Sequence, residues 1–173
     1  KNGVMGWRQL PVYNVERLED GVVNPYGANG IVYDCLLENN YARDKGGAIY
    51  WDGADGNVYG CAFVNNSAEY GGAVYWNATG GVLSGSNFTS NNATHGGAAG
   101  GAVYWGGANG NLTGSNFTGN NANGRYSCGG AVYFQGIGDV RNCNFTGNTA
   151  TGTNSRGGAV YFEKQSSVIN CNF

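Results

Sequence analysis

Few side chains in this sequence are of the kinds that carry acid-base or metal chemistry, and those few are dispersed. Glycoside and lyase chemistry needs carboxylates held close together, commonly with a cation beside them. Here the carboxylates fall towards the two ends, as Asp34, Glu38 and Asp44 and again as Asp139 and Glu163. Between Glu69 and Arg125 there is no Asp, Glu, Lys or Arg at all. The only histidine, His95, lies in the run Thr94-His95-Gly96-Gly97-Ala98-Ala99-Gly100-Gly101, which reads as a solvated loop produced by a short duplication. Asp52-Gly53-Ala54-Asp55 offers two oxygens to a hard cation, against the roughly six to eight that calcium takes. The glycine run from Gly96 to Gly101 has no lysine and no strand-loop-helix setting for phosphate. The expectation is no catalytic residue, no metal and no cofactor.

Cysteine and tyrosine remain. Cys35, Cys61, Cys143 and Cys171 recur at one position of a repeat also occupied by Ser86 and Ser115, and read as buried free thiols filling space. Stacked side chains of neighbouring rungs run parallel, which disfavours bridging. Cys128 stands apart, and an odd total leaves at least one thiol free. Tyr50, Tyr75, Tyr104, Tyr133 and Tyr161 form a second column, each followed by Trp51, Trp76, Trp105, Phe134 or Phe162. Successive residues of a strand face opposite ways. Val/Ile and Trp/Phe are therefore expected inside and Ala/Tyr outside, giving a tyrosine stripe whose adjacent rings either shield the sheet and each other or stack a glycan or dock a neighbouring chain.

These columns are positioned by an internal repeat. Gly-Gly-Ala-Val/Ile-Tyr-Trp/Phe recurs at Gly46 to Trp51, Gly71 to Trp76, Gly100 to Trp105, Gly129 to Phe134 and Gly157 to Phe162, with a degenerate copy from Asp20-Gly21. An apolar residue follows each, at Leu37, Phe63, Phe88, Phe117, Phe145 and Phe173, spaced by 26, 25, 29, 28 and 28 residues. Five positions earlier stand Val32, Val58, Leu83, Leu112, Val140 and Val168; three later stand Asn40, Asn66, Asn91, Asn120 and Asn148; five later stand Ala42, Ala68, Ala93, Ala122 and Ala150. Two-residue alternation broken by Gly and Asn, with no helical period, means short strands joined by turns. The Leu-x-x-Leu-x-Leu spacing of leucine-rich repeats is missing. The fold expected is all-β, a right-handed parallel β-helix of about six coils of 25 to 29 residues over residues 21–173, with 1–20 as an N-terminal cap or divergent coil. At about 4.8 Å per coil the rod is roughly 29 Å long. Its ladders are Phe63, Phe88, Phe117 and Phe145 inside and Asn66, Asn91, Asn120 and Asn148 at a turn, bonding amide to amide.

Composition agrees. The 173 residues include 33 Gly but only 2 Pro, and 12% are charged against 13% aromatic, so Asn, Ser and Thr solubilise the chain. A net charge of −2 gives no reason to expect nucleic acid. No apolar run is long enough to span a bilayer, and Lys1 opens no secretion signal, which reads as a mature or excised chain. Seven sequons, at Asn65, Asn77, Asn87, Asn92, Asn111, Asn116 and Asn144, favour an extracellular, glycosylated protein.

The paired Gly-Gly-Ala-Ile/Val and Phe-x-x-Asn motifs, the latter at Phe63 to Asn66, Phe88 to Asn91, Phe117 to Asn120 and Phe145 to Asn148, resemble the repeat of chlamydial polymorphic outer membrane proteins and of adhesin-like surface proteins of methanogenic archaea. The resemblance spans residues 21 to 173 and implies a β-helical passenger or stalk displayed for adhesion. Free thiols fit the reducing habitat of such archaea. Two roles follow: a stalk or filament subunit, or an adhesin passenger holding cell-surface glycans on its aromatic and Asn face. A polysaccharide lyase or hydrolase, known on this kind of fold, is disfavoured by the uncharged central coils. Because Phe173 falls inside a coil, either the chain is a piece of a larger protein or residues 1 to 20 of the next copy cover the last rung, and head-to-tail self-association is the expectation.

Overall fold

The computed structural model describes residues 4–6, 18–21, 23, 25, 27–97 and 99–173. Every paired strand among them is parallel to its neighbour, and the strands fall into columns rather than hairpins. One seven-stranded sheet runs from Val4–Gly6 through Ile31–Tyr33, Asn57–Tyr59, Val82–Ser84, Gly110–Thr113 and Gly138–Arg141 to Ser167–Ile169. A five-stranded sheet stacks Leu36–Glu38, Ala62–Val64, Asn87–Thr89, Asn116–Thr118 and Asn144–Thr146. A second five-stranded sheet stacks Ile49–Trp51, Val74–Trp76, Val103–Trp105, Val132–Phe134 and Val160–Phe162. A four-stranded sheet stacks Ser67–Ala68, Asn92–Ala93, Asn121–Asn123 and Thr149–Thr151, and Leu18–Asp20 pairs with Ala42–Lys45. The chain is an all-β parallel solenoid of about five complete turns, and the six-rung Phe column counts the partial coils at either end.

The register is like over like. Phe63, Phe88, Phe117 and Phe145 are direct partners across their strands, with ring centroids 4.5 Å, 4.7 Å and 4.9 Å apart. Leu37 takes the Phe position one coil earlier. Trp51, Trp76, Trp105, Phe134 and Phe162 stack beside them at 4.7 Å, 4.5 Å, 5.5 Å and 5.3 Å. Burying such a ring contributes about 1.5–3 kcal/mol and stacking adds about 0.5–1.5 kcal/mol. The degenerate first copy also takes its place, since Val23 bridges Ile49 and Gly21 donates to the Lys45 carbonyl.

Asparagine stitches the turns. The backbone and side-chain N–H groups of Asn40, Asn66, Asn91 and Asn120 both donate to the Oδ1 of the next rung, at 2.8–3.1 Å. The second side-chain proton of Asn66, Asn91, Asn120 and Asn148 goes to the carbonyl of Leu37, Phe63, Phe88 and Phe117. Each amide thus replaces the water that a buried turn excludes.

The Gly-Gly-Ala corner corrects one expectation. Ala48, Ala73, Ala102 and Ala131 do not face outward with tyrosine; they are fully buried beside Val/Ile and Trp/Phe. The N–H groups of Ala48 and Ile49 both donate to the Ala73 carbonyl, and those of Ala73 and Val74 to that of Ala102. Two donors on one acceptor mark a bend, so strand alternation restarts after the alanine and two successive residues point inward. The first Gly of each corner has a φ of 56 to 64°, and the second, at Gly47, Gly72, Gly101 and Gly130, lies against backbone of the next coil. Of the N-terminal segment, Trp7, Leu10, Val12, Tyr13 and Val15 lie outside the described residues.

Three substitutions test this architecture. A Cβ on Gly101 would collide with the Gly130 carbonyl oxygen, whereas one on Gly96 would meet nothing within 4 Å. Gly101→Ala is expected to lower the denaturant-derived stability by about 3 kcal/mol or more, and Gly96→Ala to shift it by less than about 1 kcal/mol. Asn91→Ala strands the Phe63 carbonyl and two donors of Asn66, and is expected to cost about 2–3 kcal/mol in the same measurement.

Candidate functional site: a tyrosine-floored cleft

The tyrosine column lies on the outer side of the Trp sheet. Tyr50, Tyr75, Tyr104, Tyr133 and Tyr161 are direct strand partners, with centroids 5.6 Å, 4.5 Å, 4.8 Å and 5.7 Å apart and rings stacked. The rings shield one another. Tyr104 and Tyr133 keep only 8% and 6% of their surface, because Ala99, Tyr70 and Cys128 pack against them. Their faces are occupied by one another, so edges and hydroxyls, not faces, meet a ligand. The Tyr104 hydroxyl donates to Gln135 at 3.1 Å and the Tyr133 hydroxyl to Glu163. Burial pushes both phenols well above their ordinary value of 10.0, Tyr133 further through its bond to Glu163.

What covers the column is a set of loops that the motif alignment passes over. Between the Ala column and the next Gly-Gly, Ala68 to Gly71 leaves two residues, whereas Ala93 to Gly100, Ala122 to Gly129 and Ala150 to Gly157 leave six each. The run around His95 is therefore one of three equivalent insertions, not an isolated duplication. They stack: Tyr126 donates its N–H to the Gly96 carbonyl, Gly124 to that of Thr151, and Cys128 bridges both Ala99 and Arg156. Their wall and the tyrosine floor enclose a cleft of about 520 Å³, with Tyr126, Tyr161, Arg156 and Glu163 around Tyr104 and Tyr133. The signal was present in the count between columns.

The remaining candidates do not converge. Among the described residues no three of His, Cys, Asp and Glu are grouped as for a metal. Asp139 is held by Arg141 at 2.9 Å, which keeps its carboxyl below the usual value, and Asp52 accepts from Asn77 at 2.7 Å. His95 is exposed and bonded to the Tyr70 hydroxyl at 3.0 Å. Of the sequon asparagines, Asn65, Asn77, Asn87, Asn116 and Asn144 are exposed, while Asn92 and Asn111 are half-buried. The amide nitrogens of Asn65, Asn77, Asn116 and Asn144, which a glycan would occupy, donate to Asn39, Asp52, Asn87 and Asn116.

The cysteines are free thiols, Cys61 and Cys143 buried and Cys35, Cys128 and Cys171 half-buried. Burial pushes Cys61 from 9.0 to about 12 and Cys143 to about 11. The folded state keeps protons that the unfolded chain releases, so this contribution is complete below about pH 9 and is lost as pH rises towards 11. The denaturation midpoint is expected to be flat from about pH 7 to 8.5 and to fall above pH 9, the buried phenols adding to the fall. Replacing Cys61 and Cys143 by Ser, the residue of this column at Ser86 and Ser115, should shrink the drop; an identical profile contradicts it.

The Chlamydia polymorphic membrane protein repeat model matches the chain at residues 34–50 and 142–163. These segments hold the Gly46 to Tyr50 corner, the Phe145 to Asn148 motif and the Gly157 to Phe162 corner. No curated protein matches, and no solved structure does. Repeat and fold together fit an adhesin-like surface protein: this chain is a parallel β-solenoid, two segments of which match the Chlamydia polymorphic membrane protein repeat.

Proposed function

We propose that the chain is the stalk of an extracellular surface protein, a rod whose task is reach and display rather than catalysis. The observation that carries this reading is the continuity of the ladders: the Phe, Trp and Asn columns each run through successive coils in unbroken register. Such columns hold coil upon coil and leave their side chains no other duty. The spread of carboxylates to the ends, with an uncharged stretch from Glu69 to Arg125, supports a non-catalytic role.

The same ladders are self-complementary, since each coil presents on one side what it receives on the other. Self-association of copies along the rod axis, with the heterologous and non-closing geometry of a filament, is part of the proposal. Sedimentation of the purified chain at micromolar concentration tests it. Concentration-dependent growth of elongated particles is expected, and a single monomeric species at every concentration would remove the filament.

A second reading, an adhesin that holds a glycan on its aromatic face, is favoured by the cleft over Tyr104 and Tyr133. In that reading recognition runs through hydroxyls and loop side chains. Tyr133→Phe, which deletes one hydroxyl and keeps the stacked ring, is then expected to lower glycan retention on an immobilised array about fivefold without changing the melting temperature.

A further inference from the structure

The three inserted loops share a charge pattern. Each holds one basic residue and no acid: His95 in the first, Arg125 in the second and Arg156 in the third. The first two loops follow coils that carry no Asp, Glu, Lys or Arg after Glu69, while the coil before the third holds Asp139 paired with Arg141. His95 is engaged, bonded to Tyr70 and 3.8 Å from Glu69. Among the described residues neither Arg125 nor Arg156 makes an ion pair. Arg125 stands 5.5 Å from the ring centroid of Tyr126, which at 53% exposure is the most open ring of the cleft. Arg156 lines the cleft and reaches the Tyr161 hydroxyl at 3.5 Å. One carboxylate, Glu163, lines the cleft together with Arg156 and is held by the Tyr133 hydroxyl.

We propose that this cleft binds an acidic polysaccharide laid along the solenoid axis, its carboxylate or sulfate groups meeting Arg156 and Arg125 and its hydroxyls meeting the tyrosine hydroxyls. The proposal rests on the glycan reading above and names the class of glycan. The phenols recur once per coil, at about 4.8 Å, close to the length of one sugar unit, whereas an extended peptide advances about 3.3 Å per residue and falls out of step. With their protons given to Gln135 and Glu163, the Tyr104 and Tyr133 hydroxyls keep lone pairs that accept from sugar hydroxyls. Single-stranded nucleic acid needs free ring faces for its bases, and the faces of Tyr104 and Tyr133 are taken by their neighbours. Two guanidiniums without acid partners then set the sign of the ligand.

Calorimetric titration of the whole chain tests this with four probes: an oligogalacturonate, a neutral oligogalactoside of equal length, a sulfated galactan and polyglutamate. The two acidic sugars are expected to bind at least about tenfold more tightly than the neutral one, and to weaken as salt is raised. Arg156→Gln is expected to lose about tenfold for the acidic sugars. Glu163→Gln removes the opposing charge while keeping an acceptor for Tyr133, and is expected to gain about threefold. Both side chains are exposed and outside the ladders, so an unchanged melting temperature certifies the variants. Preference for only the uronate or only the sulfated chain identifies which acid the arginines read, and supports the proposal. Equal binding of the neutral sugar, unaffected by Arg156→Gln, overturns the acidic class and leaves the glycan reading standing. No binding of any sugar removes both, and equally tight polyglutamate shows charge attraction without sugar recognition and overturns the proposal.

Discussion

An asparagine side chain accepts two hydrogen bonds from the asparagine of the coil before it and returns one to the Phe carbonyl of that same coil, as Asn91 does with Asn66 and Phe63. This holds the coils in a single register, and nearly everything else in the molecule follows from it. The strands are only two to four residues long and have no stability alone. A slip of one residue would turn Phe88 outward and Asn87 and Thr89 inward. With the asparagines locked, Phe meets Phe and Trp meets Trp, and burial contributes the bulk of the stability.

Because the interior repeats like residues from coil to coil, the larger variation falls where the ladders do not run. The position after Trp or Phe passes from Asp52 and Asn77 through Gly106 to Gln135 and Glu163, and the last two bond the tyrosine hydroxyls of the coil before. The segment after the Ala column lengthens from two residues to six and raises a wall. A regular core and a variable rim divide the labour: the rod carries the loops, and the loops and the phenols beneath them form a concave surface.

Much of this was legible because a stacked repeat writes its contacts as columns of like residues. The Phe, Trp, Tyr and Asn ladders, the free thiols and the parallel solenoid itself could all be read from the spacing of Phe63, Phe88, Phe117 and Phe145. The orientation of Ala48 and its equivalents could not, since alternation applies within a strand and the corner shares one carbonyl between two N–H groups. The cover over Tyr104 and Tyr133 was hidden for a different reason. Aligning motifs treats the residues between them as gaps, and the equal six-residue insertions become visible only when the gaps are counted. Pairings such as Tyr133 with Glu163 join different columns of different coils, so no single column announces them.

The central claim, like over like in neighbouring coils, is tested most directly by electron spin resonance of nitroxides placed in pairs on the outward threonines of the Phe sheet, with the five native cysteines replaced by serine. Thr89 and Thr118 are exposed direct partners, and Thr146 is the next rung. Labels at 89 and 118 should show strong dipolar broadening, from backbones about 4.8 Å apart, and labels at 89 and 146 a weaker effect from about twice that distance. Spectra of the 89 and 118 pair equal to the sum of the single labels would contradict the stacked register and the rod built on it.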